Sequence, residues 1–312
     1  MEVKVYYPYL RGKQFELIAL CELIERNLIG DNIVPIVEPI KASTAILSFM
    51  DAFVKANKNF GIIQNPEHGA FLHEVEQPKM SEYKEKYFSF FSANRCCLPV
   101  LILNKNINRI EPLTLKQKSI AVCTEEDVVS SIPKLGVKYN IDRFLIPDER
   151  IFKREITGNK ILMADNFKKQ QRNADYAKAE DDFFSDDHLY FEEEGYKGFS
   201  DFSIIGKEYT ESGFAPHAVA IHLVYFDPEN KLRVHHFVSK SNADYDDPAG
   251  KLEEALEEFV KSTLINRDTY AYNEFKRFYD NRIYSGLGVI KKLSLMHHIE
   301  LISRYLQERN ME

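Results

Sequence analysis

The sequence predicts an α/β fold, a (β/α)8 TIM-barrel-like architecture with an added C-terminal β-hairpin and helices. Three observations carry this. Short apolar runs bounded by turn residues alternate with stretches of helical period, which implies a mostly parallel sheet. Seven or eight such units fit into about 210 residues, as a closed barrel needs. The apolar runs also tend to end on a polar residue. A doubly wound open sheet is the alternative; the missing Gly-rich phosphate loop after the first strand counts against a dinucleotide fold.

The first unit is a buried strand around residues 3–10, a sharp turn, and a helix with Leu17, Leu20, Cys21, Ile24 and Leu28 at helical spacing. The second strand, 32–40, is apolar except for Glu38, and Pro35 and Pro39 limit its pairing. Ser43 or Thr44 can cap a second helix. Strands follow at 60–66 and 98–104, with an amphipathic helix at 81–94 between them. A fifth strand spans 119–123, and Thr124 can cap the helix after it. Further strands are expected at 142–146, 160–165 and 198–206. The charged stretch 168–187 reads as a solvated face or a mobile helix. Residues 218–226 and 232–238 flank turn chemistry at Asp227-Pro228 and predict a hairpin. From Leu252 onward the pattern is helical. No linker marks a second domain, so 1–312 reads as one barrel domain, with 207–312 as hairpin and helical decoration.

Composition narrows the function. The 312 residues carry a net charge of −7, which gives no global attraction to phosphate polymers. No run approaches membrane-spanning length and no signal peptide is read, so a cytoplasmic protein is expected. Cys21, Cys96, Cys97 and Cys123 lack zinc spacing and read as reduced thiols. No nucleophile elbow, HExxH or Walker-type loop occurs.

In a parallel barrel the site lies at the carboxyl ends of the strands. That rule selects Lys13, Glu16, Glu38, Asn65, Asn104, Asp165, Asp201 and His222, with His235 or His236. Lys13 and Glu16, three apart at a helix start, can share a face and bind an anion; a surface pair with Glu16 on the helix dipole explains the spacing equally simply. Glu38 in its apolar run is a general base, a Mg2+ ligand, or a strand-end residue meeting water. Asp165 and Asp201 can join it in an all-oxygen Mg2+ site, or serve as caps. Asn65 and Asn104 are candidate ligand-binding residues. His222 faces either His235 or His236 across the hairpin, as an acid/base pair, a metal site or satisfied core histidines. His297-His298 reads as a helix surface feature.

The segment from Tyr7 to Leu20 resembles the opening of the bacterial and phage "beta protein" family. Pro8, Leu10, Arg11, Lys13, Glu16, Ala19 and Leu20 match its pattern, and Ile33–Pro39 is similar to its second-strand segment around Glu38. The segments 198–201 and 220–223 are similar to a subgroup often encoded beside a nuclease-like partner in mobile or defence islands. The resemblance implies a TIM-barrel-like fold and raises the functional readings of Lys13, Glu16 and Glu38. It supplies no activity. Two functions are then expected. One is an enzyme or sensor for a phosphorylated or nucleotide-like ligand, with Mg2+ and with Glu38, Asp201 and His222 as catalytic groups. The other is a non-catalytic regulator of a nuclease-like protein, suited by its acidity to a basic partner.

Overall fold

The structure is a computed structural model that describes residues 4–107, 117–211 and 216–309. Eight parallel strands form the main sheet: β1 (Tyr9–Leu10), β2 (Ile36–Val37), β3 (Phe60–Ile63), β4 (Cys97–Ile102), β5 (Ser119–Val122), β6 (Ile141–Ile146), β7 (Asn159–Ala164) and β9 (Phe199–Asp201). The sheet closes on itself. Tyr6 bridges both Ile33 and Phe199, and the Tyr7 amide donates to the Phe199 carbonyl at 2.8 Å. The chain is therefore a (β/α)8 barrel. Gly198 lets the seam close, since a Cβ there would stand 2.6 Å from the Val5 carbonyl oxygen.

Alternation along the strands sorts the core into two layers. Tyr9, Ile36, Ile63, Val100, Ile102, Val122, Leu145 and Met163 fill the barrel. Leu10, Val37, Phe60, Ile62, Leu101 and Leu162 face outward into a larger core beneath the helices. Those helices are α1 (Gln14–Glu25), α2 (Thr44–Lys55), α3 (Phe71–Val75), α4 (Ser81–Ala93), α5 (Ile132–Lys138) and α6 (Arg150–Glu155).

β2 is shorter than the apolar run around it because Pro35 and Pro39 lack N–H groups. Ile36 still donates to the Pro8 carbonyl and Glu38 to that of Leu10. The helix expected to begin after Thr124 instead starts as a 3-10 turn, Glu126–Ser131, before α5.

The charged stretch after β7 holds a 3-10 turn (Asn173–Lys178), a strand β8 (Asp181–Ser185) and the short α7 (Asp187–Tyr190). β8 joins the expected hairpin, β10 (Ala220–Phe226) and β11 (Leu232–Val238), in a three-stranded antiparallel sheet. Its acidic residues are neutralised across the strands: Asp181 accepts from Tyr225 at 2.7 Å and pairs with Arg233. Local periodicity cannot register such pairing.

Helices α8 (Pro248–Lys261), α9 (Tyr270–Asp280) and α10 (Leu287–Arg309) complete the chain. α10 packs on α1 and the turn after β9, and so takes the place of the eighth barrel helix. The Asn32 side-chain amide donates to the Ser303 carbonyl at 2.7 Å, and Lys292 pairs with Glu22. His297 and His298 are fully buried, against the expectation of a surface feature. His297 bridges Thr269 Oγ1 and the Val224 carbonyl, both at 2.8 Å. No described helix is long and apolar enough to cross a membrane.

Candidate functional site: a cationic cavity beside the barrel mouth

The mouth of the barrel is occupied by a buried ion pair. Glu38 is inaccessible to solvent and forms a salt bridge with Arg11 Nη1. It also accepts from Tyr9 Oη at 2.9 Å, from the backbone amides of Glu67 and His68 at 2.8 and 3.1 Å, and contacts His68 Nδ1 at 3.0 Å. Burial pushes the Glu38 carboxyl up, but Arg11 and the bonds from His68 and Tyr9 outweigh it and hold it below the ordinary value. Arg11 lies against the Tyr9 and Phe202 rings, and its Nη2 donates to the Lys207 carbonyl at 2.5 Å.

Residues 206–210 form a strap over this pair. Lys207 N donates to Asp165 Oδ1 at 3.0 Å, the Tyr209 ring packs at a tilt against His68, and the Thr210 carbonyl accepts from Lys13 Nζ. The positive φ of Gly12, +63°, turns the chain from β1 into α1. A Cβ at Gly12 would sit 2.9 Å from the Glu38 carbonyl oxygen.

Beside the strap lies a cavity of about 390 Å³, bounded by the β1–α1 turn, the loop after β7, the strap, β10 and the start of α10. Arg11, Lys13, Lys169 and Lys291 line it with a single carboxylate, Glu208. Lys169 pairs with Glu208 at 3.3 Å and Lys291 with Glu16 at 3.1 Å. Burial lowers the Lys13 ammonium, and Lys291, Lys169 and Arg11 lower it further, against the pull of Glu16. The opposite wall is aromatic: Phe167, Tyr176 and His222.

Of the residues selected from the sequence, Lys13 and His222 line this cavity. The others serve different places. Glu16 is 1 % exposed and accepts from the Arg11 amide at 2.9 Å, securing the first turn of α1. Both ends of the Asn65 amide bond the backbone of Ile102, at 2.7 and 2.9 Å, extending the ladder between β3 and β4. Asn104 donates to Glu67 at 2.6 Å. Asp201 lies behind the barrel wall, with Phe199 and Tyr6 of the outer core. Its Oδ1 accepts from Tyr6 Oη at 2.6 Å and from Ser203 N at 2.7 Å. Burial, with help from Asp165, raises its carboxyl to about 6 against these two bonds.

Glu38, Asp165 and Asp201 therefore do not form one oxygen-ligand set. Glu38 is saturated by donors that include a guanidinium, Asp165 accepts from Lys207, and Asp201 faces away from the mouth. These positions do not suit Mg2+, and among the described residues no three His, Cys, Asp or Glu side chains are arranged to hold a metal. In the hairpin, His236 rather than His235 faces His222. The four thiols are unpaired.

Sequence reasoning left Lys169 and Lys291 out of the site, and noted Arg11 only within the opening motif. One local signal was available for Arg11: it follows a buried strand end, and the embedded Glu38 needs a cation. Lys169 and Lys291 have no such mark, since long-range packing alone brings them to Lys13.

No family model and no curated protein matches the sequence. Among solved structures, (S)-3-O-geranylgeranylglyceryl phosphate synthase from Thermoplasma acidophilum, crystallised with sn-glycerol-1-phosphate, aligns with 66 % of this chain and 87 % of its own, at 13 % identity and a TM-score of 0.31. A likeness of that size adds nothing to the barrel topology described above.

Proposed function

We propose that the cavity binds a small phosphorylated ligand. The observation that carries this is the convergence of Arg11, Lys13, Lys169 and Lys291 on one cavity whose lining holds a single carboxylate, Glu208, while Glu38 and Glu16 pair with Arg11 and Lys291 from outside it. Crowded cations raise one another's free energy, and a bound dianion relieves it. The volume lies within the range of small-molecule sites. The aromatic wall of Phe167 and Tyr176 suits a planar group, so a nucleotide-like ligand fits the proposal. Such a site serves an enzyme or a sensor equally.

Isothermal titration with inorganic phosphate, a sugar phosphate and a nucleoside monophosphate tests this. Saturable binding is expected, weakening with salt and lost in the Lys13→Ala/Lys291→Ala variant. Absence of binding by all three ligands, or equal binding by the variant, refutes it. A role in phage defence beside a nuclease-like protein is part of the proposal through the resemblance of the segments 198–201 and 220–223. Co-purification with a neighbouring gene product is its test.

A further inference from the structure

The cations account for one side of the cavity and leave the imidazoles on the other side unexplained. His222 of β10 stands directly opposite His236 of β11. Their Nδ1 atoms are 2.8 Å apart. Two neutral imidazoles make this contact in one way: one Nδ1 carries the hydrogen and the other offers its lone pair. The tautomers of the two rings are therefore tied together.

The two rings sit in different surroundings. His236 is 2 % exposed, and its buried Nε2 makes no hydrogen bond. That nitrogen lies 3.7 Å from Asp182 Oδ2 on β8. His222 lines the cavity. With Nδ1 engaged by His236, its Nε2 is the nitrogen available to a ligand. Tyr176 packs on both rings, with centroids at 4.5 and 4.6 Å, and Phe167 meets them edge-on. Asp182 favours Nε2–H on His236. That makes His236 Nδ1 the acceptor, His222 Nδ1 the donor, and His222 Nε2 a bare lone pair facing the cavity.

We propose that His222 is the acid–base residue of the cavity and that His236 and Asp182 position it as a proton relay, acting on a phosphorylated compound with an ionisable hydroxyl or an acidic C–H. This rests on the anion-site reading above. In the forward step His222 Nε2 takes the ligand proton, and the bonding electron pair stays on the ligand. His222 Nδ1–H passes its hydrogen to His236 Nδ1. The positive charge comes to rest on His236 beside Asp182, and the ligand anion rests among Lys13, Lys169, Lys291 and Arg11. Reversal returns the proton to the same or an adjacent ligand atom, so no further reactant is needed.

Burial prepares the resting state. It lowers His222 to about 3, with His236 adding to the effect. It lowers His236 to about 4 despite the opposing pull of Asp182 and Asp181. Both rings are neutral at pH 7, so the relay waits in its proton-accepting form. The groups facing it are Tyr176, Asp181, Asp182 and His235, together with the cavity lysines.

Imidazole 15N NMR on the full chain is the test, with inorganic phosphate as the probe. In the wild type, His222 is expected as the Nδ1–H tautomer and His236 as Nε2–H. In saturating phosphate, acidification is expected to add one proton that both rings report with the same midpoint, because the Nδ1–Nδ1 contact holds a single hydrogen. Asp182→Asn is expected to lower that midpoint by about one pH unit. Reversed tautomers in the wild type overturn the proposal even if every variant fails to fold. A first proton reported by one ring alone, or a midpoint that Asp182→Asn leaves in place, also overturns it. The two readings fail separately: a wild type that shows these tautomers but binds no phosphate supports the relay and refutes the anion site, whereas a wild type that binds phosphate with reversed tautomers refutes the relay alone.

Discussion

Replacing Arg11 with Met tests whether one ion pair holds the barrel mouth. Glu38 has no solvent exposure and accepts from five donors, of which Arg11 alone carries a fixed charge. The substitution removes the compensating charge and keeps most of the volume against Tyr9 and Phe202. Removing one partner of a buried pair costs about 3–5 kcal/mol. Four donors remain on the carboxylate, so the lower end, about 3 kcal/mol, is expected. Adding Glu38→Gln removes the stranded charge and should recover part of the loss, with a coupling energy of about 1–3 kcal/mol. Urea unfolding at pH 7.5 measures this, followed by circular dichroism and by tyrosine fluorescence, since the chain has no Trp. Acid provides a second arm. The folded Glu38 carboxyl is held below its ordinary value. Its contribution is therefore present above the unfolded-state pKa and disappears as pH falls through the lower folded one. The wild type should lose more stability over that window than the double variant. An Arg11→Met variant within about 1 kcal/mol of wild type, or a double variant less stable than Arg11→Met, would refute the reasoning.

Other expectations follow from the same packing. Asp201 has a raised folded-state pKa of about 6. Its contribution is full below the unfolded value and lost as pH rises through about 6, a change on the order of 3 kcal/mol. Asp201→Asn keeps an acceptor for Tyr6 and Ser203, and should flatten that part of the wild-type stability profile; an unchanged profile counts against it. Gly12→Ala should cost more than about 1 kcal/mol in urea unfolding, because the turn needs positive φ and Glu38 O leaves no room. His297→Leu strands Thr269 and the Val224 carbonyl inside the core, and should cost about 2 kcal/mol or more by the same measurement.

The barrel was legible because its strands are apolar runs with clear stops, and all eight needed only local pattern. β8 was not legible: Asp181 and Asp182 look like solvated charge until Arg233 and His236 are set beside them. The buried His297 and His298 failed for a related reason. A polar pair on a helix marks solvent only when nothing covers that face, and here β10 and the turn after β9 cover it. At the site, Lys13 and His222 could be found from strand ends and hairpin register. Asp201 could not be sorted the same way, since its facing depends on strand parity at the seam, where β9 is only three residues long. Lys291 is separated from Lys13 by almost the whole chain, and no spacing rule spans that distance.

The place of α10 bears on how the protein is made. Residues 202–286 separate the eighth barrel strand from the helix that covers its seam. At roughly 5–20 residues per second, a ribosome needs on the order of 5–20 s to bridge that interval. Throughout it the face of α1 that α10 covers, and the side of Tyr6 that meets His298, lack that cover. The nascent chain thus has a timed window of exposure in which a chaperone shields that face or the face meets its neighbour on the polysome.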